Sequence, residues 1–442
     1  MKRYIILFFG LLASFNLKAQ DDFLIQKQKK KVVIPFKLIN NLVFVPIKVN
    51  GIELNFLLDS GVDETILFSM EEKKEVSFKN IQKIKLRGLG SEEEIEGLKS
   101  TNNILETHGM KSVNHMVYII LDQGFNLSSH IGIPVNGIIG YKFFKNNIVE
   151  VNYQKRKIFV YQNNEKVRND LDKKFETLPI TIERSKPYVM ASVLVNNVNM
   201  PAKLLVDIGN SDAFWVFEND KIKLPEKNFP DFLGKGFSGD IEGHRAKMIK
   251  FSLADFEFKN PIVSFPDSSS IKNVKMVANR IGSVGGEVLK RFTVVMDYAD
   301  KKMYLKKNSK FNEPFTYNKS GITVQHNGLQ WVQETVHLET VKINTTSTID
   351  ENNLDQRSND FRYKFQLKPI FEIVNVRKYS AAEKSGLQKG DIIISINGNK
   401  PYKYTLQQIN NLLKSEEDVW INLEIERNSA LLKFRFRLED EL

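Results

Sequence analysis

The sequence predicts a mainly β protein: two copies of one β-rich lobe, followed by a smaller α+β domain. Three observations carry that prediction. Residues 49–61, VNGIELNFLLDSG, return at 195–209 as VNNVNMPAKLLVDIG, with two extra residues. Residues 137–163 align without a gap to 282–308, and seven of those 27 positions are identical. Unrelated segments of average composition share roughly one or two. After residue 310 the repeat stops, and a different succession of apolar runs, glycine turns and one amphipathic stretch begins.

The chain opens on a segment outside that scheme. Lys2 and Arg3 precede an apolar run from Tyr4 to about Phe15, and Leu17-Lys18-Ala19 closes it. This is the plan of a secretory signal peptide, residues 1–19, cut after Ala19. The run is too short for a comfortable membrane span, and no later stretch approaches 18 apolar residues. The expectation is an exported protein, periplasmic or extracellular, with no membrane span in the mature chain. Cysteine is absent, which excludes thiolate chemistry and disulfides. A core built from 442 residues needs no such staples. The formal charge of +11 falls to 11 − 3 = +8 without Lys2, Arg3 and Lys18. The remaining lysines are interspersed with acids, as in EEKKE at 71–75, and form no basic stripe among aromatics. Nucleic acid is therefore not an expected partner.

The first lobe is read as residues 30–168 and the second as 169–309. Asn50-Gly51 between two alternating apolar runs signals a two-residue hairpin, and Asn196-Asn197 holds the same place. GSEEEIEG at 90–97 has a counterpart in GFSGDIEG at 236–243. Three paired segments thus occur in one order in both halves, with offsets of 148, 146 and 145 residues.

Each copy brings an acid to the end of an apolar strand: Asp59 and Asp207. Asp before Gly is ordinary turn chemistry when met once. Met twice, at equivalent points of a repeat, it acquires another meaning. If the copies pack about a pseudo-twofold axis, the two carboxyls face each other, and one keeps a proton because both cannot readily ionise. The ionised member can take a proton from water while the protonated member polarises a carbonyl. The six histidines (108, 115, 130, 244, 326 and 337) show no metal-ligand spacing. No nucleophile elbow or phosphate loop is present either, so no metal and no cofactor is expected.

These features resemble the aspartic-peptidase superfamily, pepsin-like in carrying both lobes on one chain and retropepsin-like in motif economy. The resemblance spans residues 30–309. It implies a catalytic pair, Asp59 and Asp207, with active-site loops through Ser60, Gly61, Ile208 and Gly209. Asp59-Ser60-Gly61 fits the family's Asp-Thr/Ser-Gly in full, and Ile138-Ile139-Gly140 fits its later hydrophobic pair and glycine. In the second copy Asp207 and Gly209 match, Ile208 stands where a hydroxyl is expected, and Ser283-Val284-Gly285 matches in part. The family's flap over the cleft falls on LRGLGSEEEIEGL, 86–98, with Gly88, Leu89 and Gly90 at its tip and without the flap tyrosine of pepsins. Ile208 leaves the usual cross-brace between the loops at most half present, through Ser60. Val62 and Asn210 stand three residues after the acids, where a second hydroxyl is usual. Fewer donors to the ionised form mean less depression of its pKa.

Residues 310–442 carry another pattern. Ser380-Ala381-Ala382, Ser385-Gly386-Leu387 and Lys389-Gly390-Asp391 precede the apolar run IIISING. Leu406, Ile409, Leu412 and Leu413 then share one helical face. This resembles a bacterial PDZ domain, which binds an extended chain end by strand addition and holds its carboxylate on backbone N–H groups. NKSGITVQ at 318–325 is the expected carboxylate loop and strand, with Ser320, Gly321, Ile322 and Thr323 as peptide-binding residues. A rival assignment puts the loop at Tyr363-Lys364-Phe365, which lacks glycine. The polar, aperiodic stretch near 344–360 is read as a loop insertion.

The expectation is an exported aspartic endopeptidase acting on peptides or unfolded proteins, monomeric, with a PDZ domain that binds C-terminal peptides. Two alternatives stand beside it: a protease-like cleft without activity that works through the PDZ domain, and an envelope scaffold whose cleft stays empty.

Overall fold

The computed structural model describes residues 22–26, 29–68, 75–86, 95–121, 126–236, 239–272, 274, 276–337 and 361–442. It is mainly β. Among the described residues no helix is long and apolar enough to cross a membrane. The chain divides into two compact units. One holds the described residues of Met1–Asn126, Pro134–Lys227 and Leu233–Phe315; the other holds Leu127–Ile133, Asn228–Phe232 and Thr316–Leu442.

In the first unit both copies of the repeat build the same local arrangement. Strands β1 (Leu42–Val49) and β2 (Ile52–Leu58) form a hairpin, followed by β3 (Thr65–Leu67), β4 (Gly137–Ile139), helix α1 (Tyr141–Phe144) and β5 (Asn147–Asn152). The second copy answers with β6 (Lys186–Val195), β7 (Val198–Val206), β8 (Phe214–Val216), β9 (Arg280–Val284), helix α2 (Gly286–Leu289) and β10 (Phe292–Asp297). Asn50 and Gly51 take φ of 48° and 92°, and Asn196 and Asn197 take 48° and 63°. These left-handed pairs match the twist of the flanking strands, which is why Asn and Gly occupy them.

In each copy the strand leading to the acid lies parallel to the later short strand. Ile138 pairs with Leu57 and Ile139 with Leu58; Ser283 pairs with Leu205 and Val284 with Val206. The same short strand then pairs antiparallel with β3 or β8. Strands β5 and β10 pair antiparallel with Glu150 opposite Val295, Ile148 opposite Asp297 and Asn152 opposite Thr293. Adding 145 to Glu150 gives Val295, so the centre of this pairing joins equivalent residues and the register maps onto itself under a local twofold. Apolar residues from both copies, among them Phe56, Leu58, Ile139, Val206, Ile208 and Val284, share one core.

The second unit contains, among the described residues, a five-stranded sheet in the order β11-β12-β13-β14-β15: Ile322–His337, Phe361–Val376, Ile392–Ile396, Trp420–Arg427 and Ala430–Arg437. Helix α3 (Ala381–Ser385) begins at Ser380, whose side chain accepts from Glu383 N, and ends at Gly386 with φ 98°. Helix α4 (Leu406–Leu413) carries a capping box, Thr405 with Gln408. Its Leu406, Ile409 and Leu413 are buried against Ile322, Val324 and Ile373. Each such side chain contributes about 1.5–3 kcal/mol relative to exposure.

Candidate functional site

Asp59 and Asp207 leave their strands in the same way. Asp59 N donates to Ile139 O at 2.9 Å, and Asp207 N donates to Val284 O at 2.9 Å. Each carboxyl then folds back onto its own loop: Gly61 N donates to Asp59 Oδ1 at 2.7 Å and Gly209 N to Asp207 Oδ1 at 3.1 Å. The two carboxyls face one another across these loops. The glycines make this closeness possible. A Cβ added to Gly209 would lie 2.2 Å from Asp59 Cγ, and one added to Gly61 would lie 3.2 Å from Asp207 Oδ1. Behind the first loop, a Cβ on Gly140 would stand 1.9 Å from Val62 O.

Ser60 ties the loops together. Its hydroxyl donates to Val206 O at 2.6 Å and accepts from Ile208 N at 3.0 Å. Ile208 returns no such bond; its side chain is fully buried in the shared core. Asn210 turns away from the acids, donating to Ser283 Oγ at 3.4 Å and accepting from Asp212 N at 2.9 Å. The partial motif Ser283-Val284-Gly285 therefore keeps a job: its serine holds Asn210, and its glycine leaves room for Asp212 O, which a Cβ would approach to 2.4 Å.

Both acids keep some contact with solvent yet lie deep enough for lost hydration to dominate. Burial raises Asp59, and the neighbouring charge of Asp207 raises it further. Asp207 is raised by burial too, but Arg280, Lys186 and the Gly209 N–H pull it back. The buried Tyr298 phenol, held well above its ordinary value by burial and then by Asp59, completes the surroundings. Its hydroxyl has no partner among the described residues. Such a pair holds one proton and one negative charge, the combination that general acid–base work on a carbonyl and a water needs.

Gly88, Leu89 and Gly90 lie outside the described residues, as do residues 1–19 and 344–360. Arg280, Lys186 and Tyr298 were not singled out in the sequence. Tyr298 had a signal, since it is identical to Tyr153 in the gapless repeat. Arg280 had a fainter one: 145 residues earlier stands Val135, so a charge replaces an apolar residue there.

In the second unit, β11 is the end strand of its sheet, with α4 packed beside it. Gly321 has φ 86°, and a Cβ there would lie 2.2 Å from Ser380 Cβ. Arg377 N donates to Gly321 O at 2.7 Å, and the Arg377 guanidinium donates to Asn318 O at 2.9 Å. The loop amides turn inward: Ser320 N and Gly321 N reach Asn318 Oδ1 at 3.1 and 3.3 Å, and Ile322 N reaches Ser320 Oγ at 3.2 Å. Thr323 lies opposite Asn375. Tyr363, Lys364 and Phe365 lie within β12, opposite Thr335, Glu334 and Gln333, and so form strand rather than loop.

A family profile described as a PDZ domain matches residues 372–427. No curated protein matches the chain at a significant level.

Proposed function

We propose that this chain is an exported aspartic endopeptidase whose PDZ domain binds peptide or protein chain ends. One observation carries the peptidase reading: Asp59 and Asp207, at equivalent points of an internal repeat, are brought together, so that a Cβ added to Gly61 would lie 3.1 Å from Asp59 Oδ1 and 3.2 Å from Asp207 Oδ1. Ionised Asp207 takes a proton from water, and the resulting hydroxide attacks a peptide carbonyl. Protonated Asp59 donates to the carbonyl oxygen as it gains charge. Proton transfer to the amide nitrogen then releases the amine. The substrate is an extended peptide or an unfolded protein. The PDZ match supports peptide or protein binding by strand addition along β11. Export rests on the basic start, apolar run and Ala19 of the first residues.

The test is to incubate the protein with an unfolded-protein mixture and count new chain ends. Cleavage that disappears in Asp59→Asn and in Asp207→Asn, and with a transition-state inhibitor of aspartic peptidases, supports the reading. Cleavage that survives in either variant overturns it. A second reading, a protease-like binding protein without activity, is favoured by Ile208, which leaves the loop brace one-sided. It predicts peptide binding with no new ends at any pH from about 3 to 8, the range in which a carboxylate pair titrates.

A further inference from the structure

The loop expected to hold a ligand's chain end is filled from within, by the half-buried side chain of Asn318. Its Oδ1 accepts from Ser320 N at 3.1 Å, from Gly321 N at 3.3 Å and from Ser320 Oγ at 2.6 Å. Its Nδ2 donates to Ile322 O at 2.7 Å. The next amide, Ile322 N, is taken by Ser320 Oγ at 3.2 Å. The side of β11 on which these bonds lie matters. Ile322 stands opposite Val376, and Gly321 O accepts from Arg377 N, so that carbonyl points toward β12. Ile322 is extended, and the peptide groups on either side of such a residue point opposite ways. Ile322 N and Ile322 O therefore face away from β12, toward the edge where an added strand would pair. Asn318 thus sets an acceptor oxygen on the loop amides and an N–H on Ile322 O. The last residue of an incoming chain would offer the same two things, its carboxylate and its backbone N–H. The main chain of Asn318 is held separately: the buried Arg377 guanidinium donates to Asn318 O at 2.9 Å, and Lys319 N donates to Leu413 O at 3.0 Å. Rotation of the side chain alone frees the amides.

We propose that Asn318 is a specificity-determining gate of the PDZ groove: its carboxamide occupies the chain-end site, and a ligand enters that site only by displacing it. The carboxamide oxygen is neutral, and hydrogen bonds to a carboxylate are roughly twice as strong. A free chain end can therefore take the amides from Asn318. An amidated end, or the middle of a chain, exchanges like for like and gains little. The gate makes the groove selective for charged chain ends, at a lower affinity than an open loop would give. The inference rests on the reading that the groove takes chain ends, and its test separates the two.

Fluorescein-labelled decapeptides ending in Val, Leu or Phe are made with free carboxyl and with amide ends, and the full chain is titrated into each while anisotropy is followed. Apolar last residues are used because the packing between β11 and α4 is apolar. In Asn318→Ala the free-carboxyl probes bind about tenfold more tightly, the scale of one or two net hydrogen bonds no longer in competition. A side chain that merely shaped the loop would give the opposite result, weaker binding. Asn318→Asp keeps the size of the side chain but sets a charged acceptor on the amides and a like charge where the ligand's carboxylate must sit. The free-carboxyl probes then weaken by about tenfold, and this variant decides the matter if Asn318→Ala does not fold. Unchanged or weaker binding in Asn318→Ala, or unchanged binding in Asn318→Asp, overturns the proposal. Tightening in Asn318→Ala, with free and amidated probes bound alike, sinks the chain-end reading and leaves the gate standing. A preference for free ends that neither substitution moves does the reverse. Binding of no probe by wild type or by Asn318→Ala overturns both.

Discussion

Gly209 is a glycine because Asp59 is its neighbour: a side chain there would begin 2.2 Å from Asp59 Cγ. The reciprocal contact is looser, with 3.2 Å between a Cβ on Gly61 and Asp207 Oδ1. Each loop thus presents its smallest residue to the acid of the other copy.

Gly209→Ala forces the Asp59 carboxyl away from Asp207. A displacement of about 1 Å costs roughly 100-fold in rate, so kcat/KM should fall by at least that factor while near-ultraviolet circular dichroism stays native. Gly61→Ala should be milder. Wild-type kinetics in Gly209→Ala would show that the pair does not act as a unit.

The acid pair should weaken the fold as pH rises. Burial raises both carboxyls above the ordinary range, so the native state keeps protons that the unfolded chain has released. Stability then declines from the ordinary carboxylate range upward through the raised values. Asp59→Asn removes one of these two penalties. Its melting temperature should exceed that of wild type at pH 7, and the two should converge below about pH 4, where the unfolded carboxyl is protonated as well. A gain that persists unchanged at low pH would point to another cause.

Ile208→Thr offers a hydroxyl where the first copy has Ser60. The counterpart of Val206 O is Leu58 O, 148 residues earlier, so the brace would become two-sided. An added donor near the pair favours its ionised form. The acid limb of the pH–rate curve should shift to lower pH, and activity should rise. An unmoved acid limb in an active variant would show that these hydroxyls do not set the titration.

In the PDZ domain, peptides with a free carboxyl terminus should bind the full chain more tightly than their amidated forms, as fluorescence anisotropy would read. Gly321→Ala should destabilise the domain by about 1–3 kcal/mol, the usual cost of a strained backbone position, and weaken peptide binding. Equal affinity for free and amidated peptides would reject the loop at Ser320–Thr323.

Much of the architecture was legible because local chemistry and tertiary demand agree. Asn50-Gly51 and Asn196-Asn197 are hairpin turns because their φ values are positive. Leu406, Ile409 and Leu413 are buried because a helix puts them on one face, with Leu412 packed at its edge. One feature was not legible: the strand that ends at Val376 begins at Phe361, because a partner strand, Ile322–His337, extends alongside it. Strand length follows from what lies beside a strand, and composition does not reveal that.

By itself the sequence determined that a lobe is repeated, that Asp59 and Asp207 hold equivalent places, and that a PDZ pattern follows. Those are matters of order and spacing, which a linear chain displays. Only the tertiary structure decided that Ile208 faces the core, that Asn210 serves Ser283, and that the loop amides at Ser320–Ile322 turn to Asn318 and Ser320. Each of these depends on which atoms approach across strands distant in sequence. The energies of burial, hydrogen bonding and charge that follow from such approaches exist only once the chain has folded.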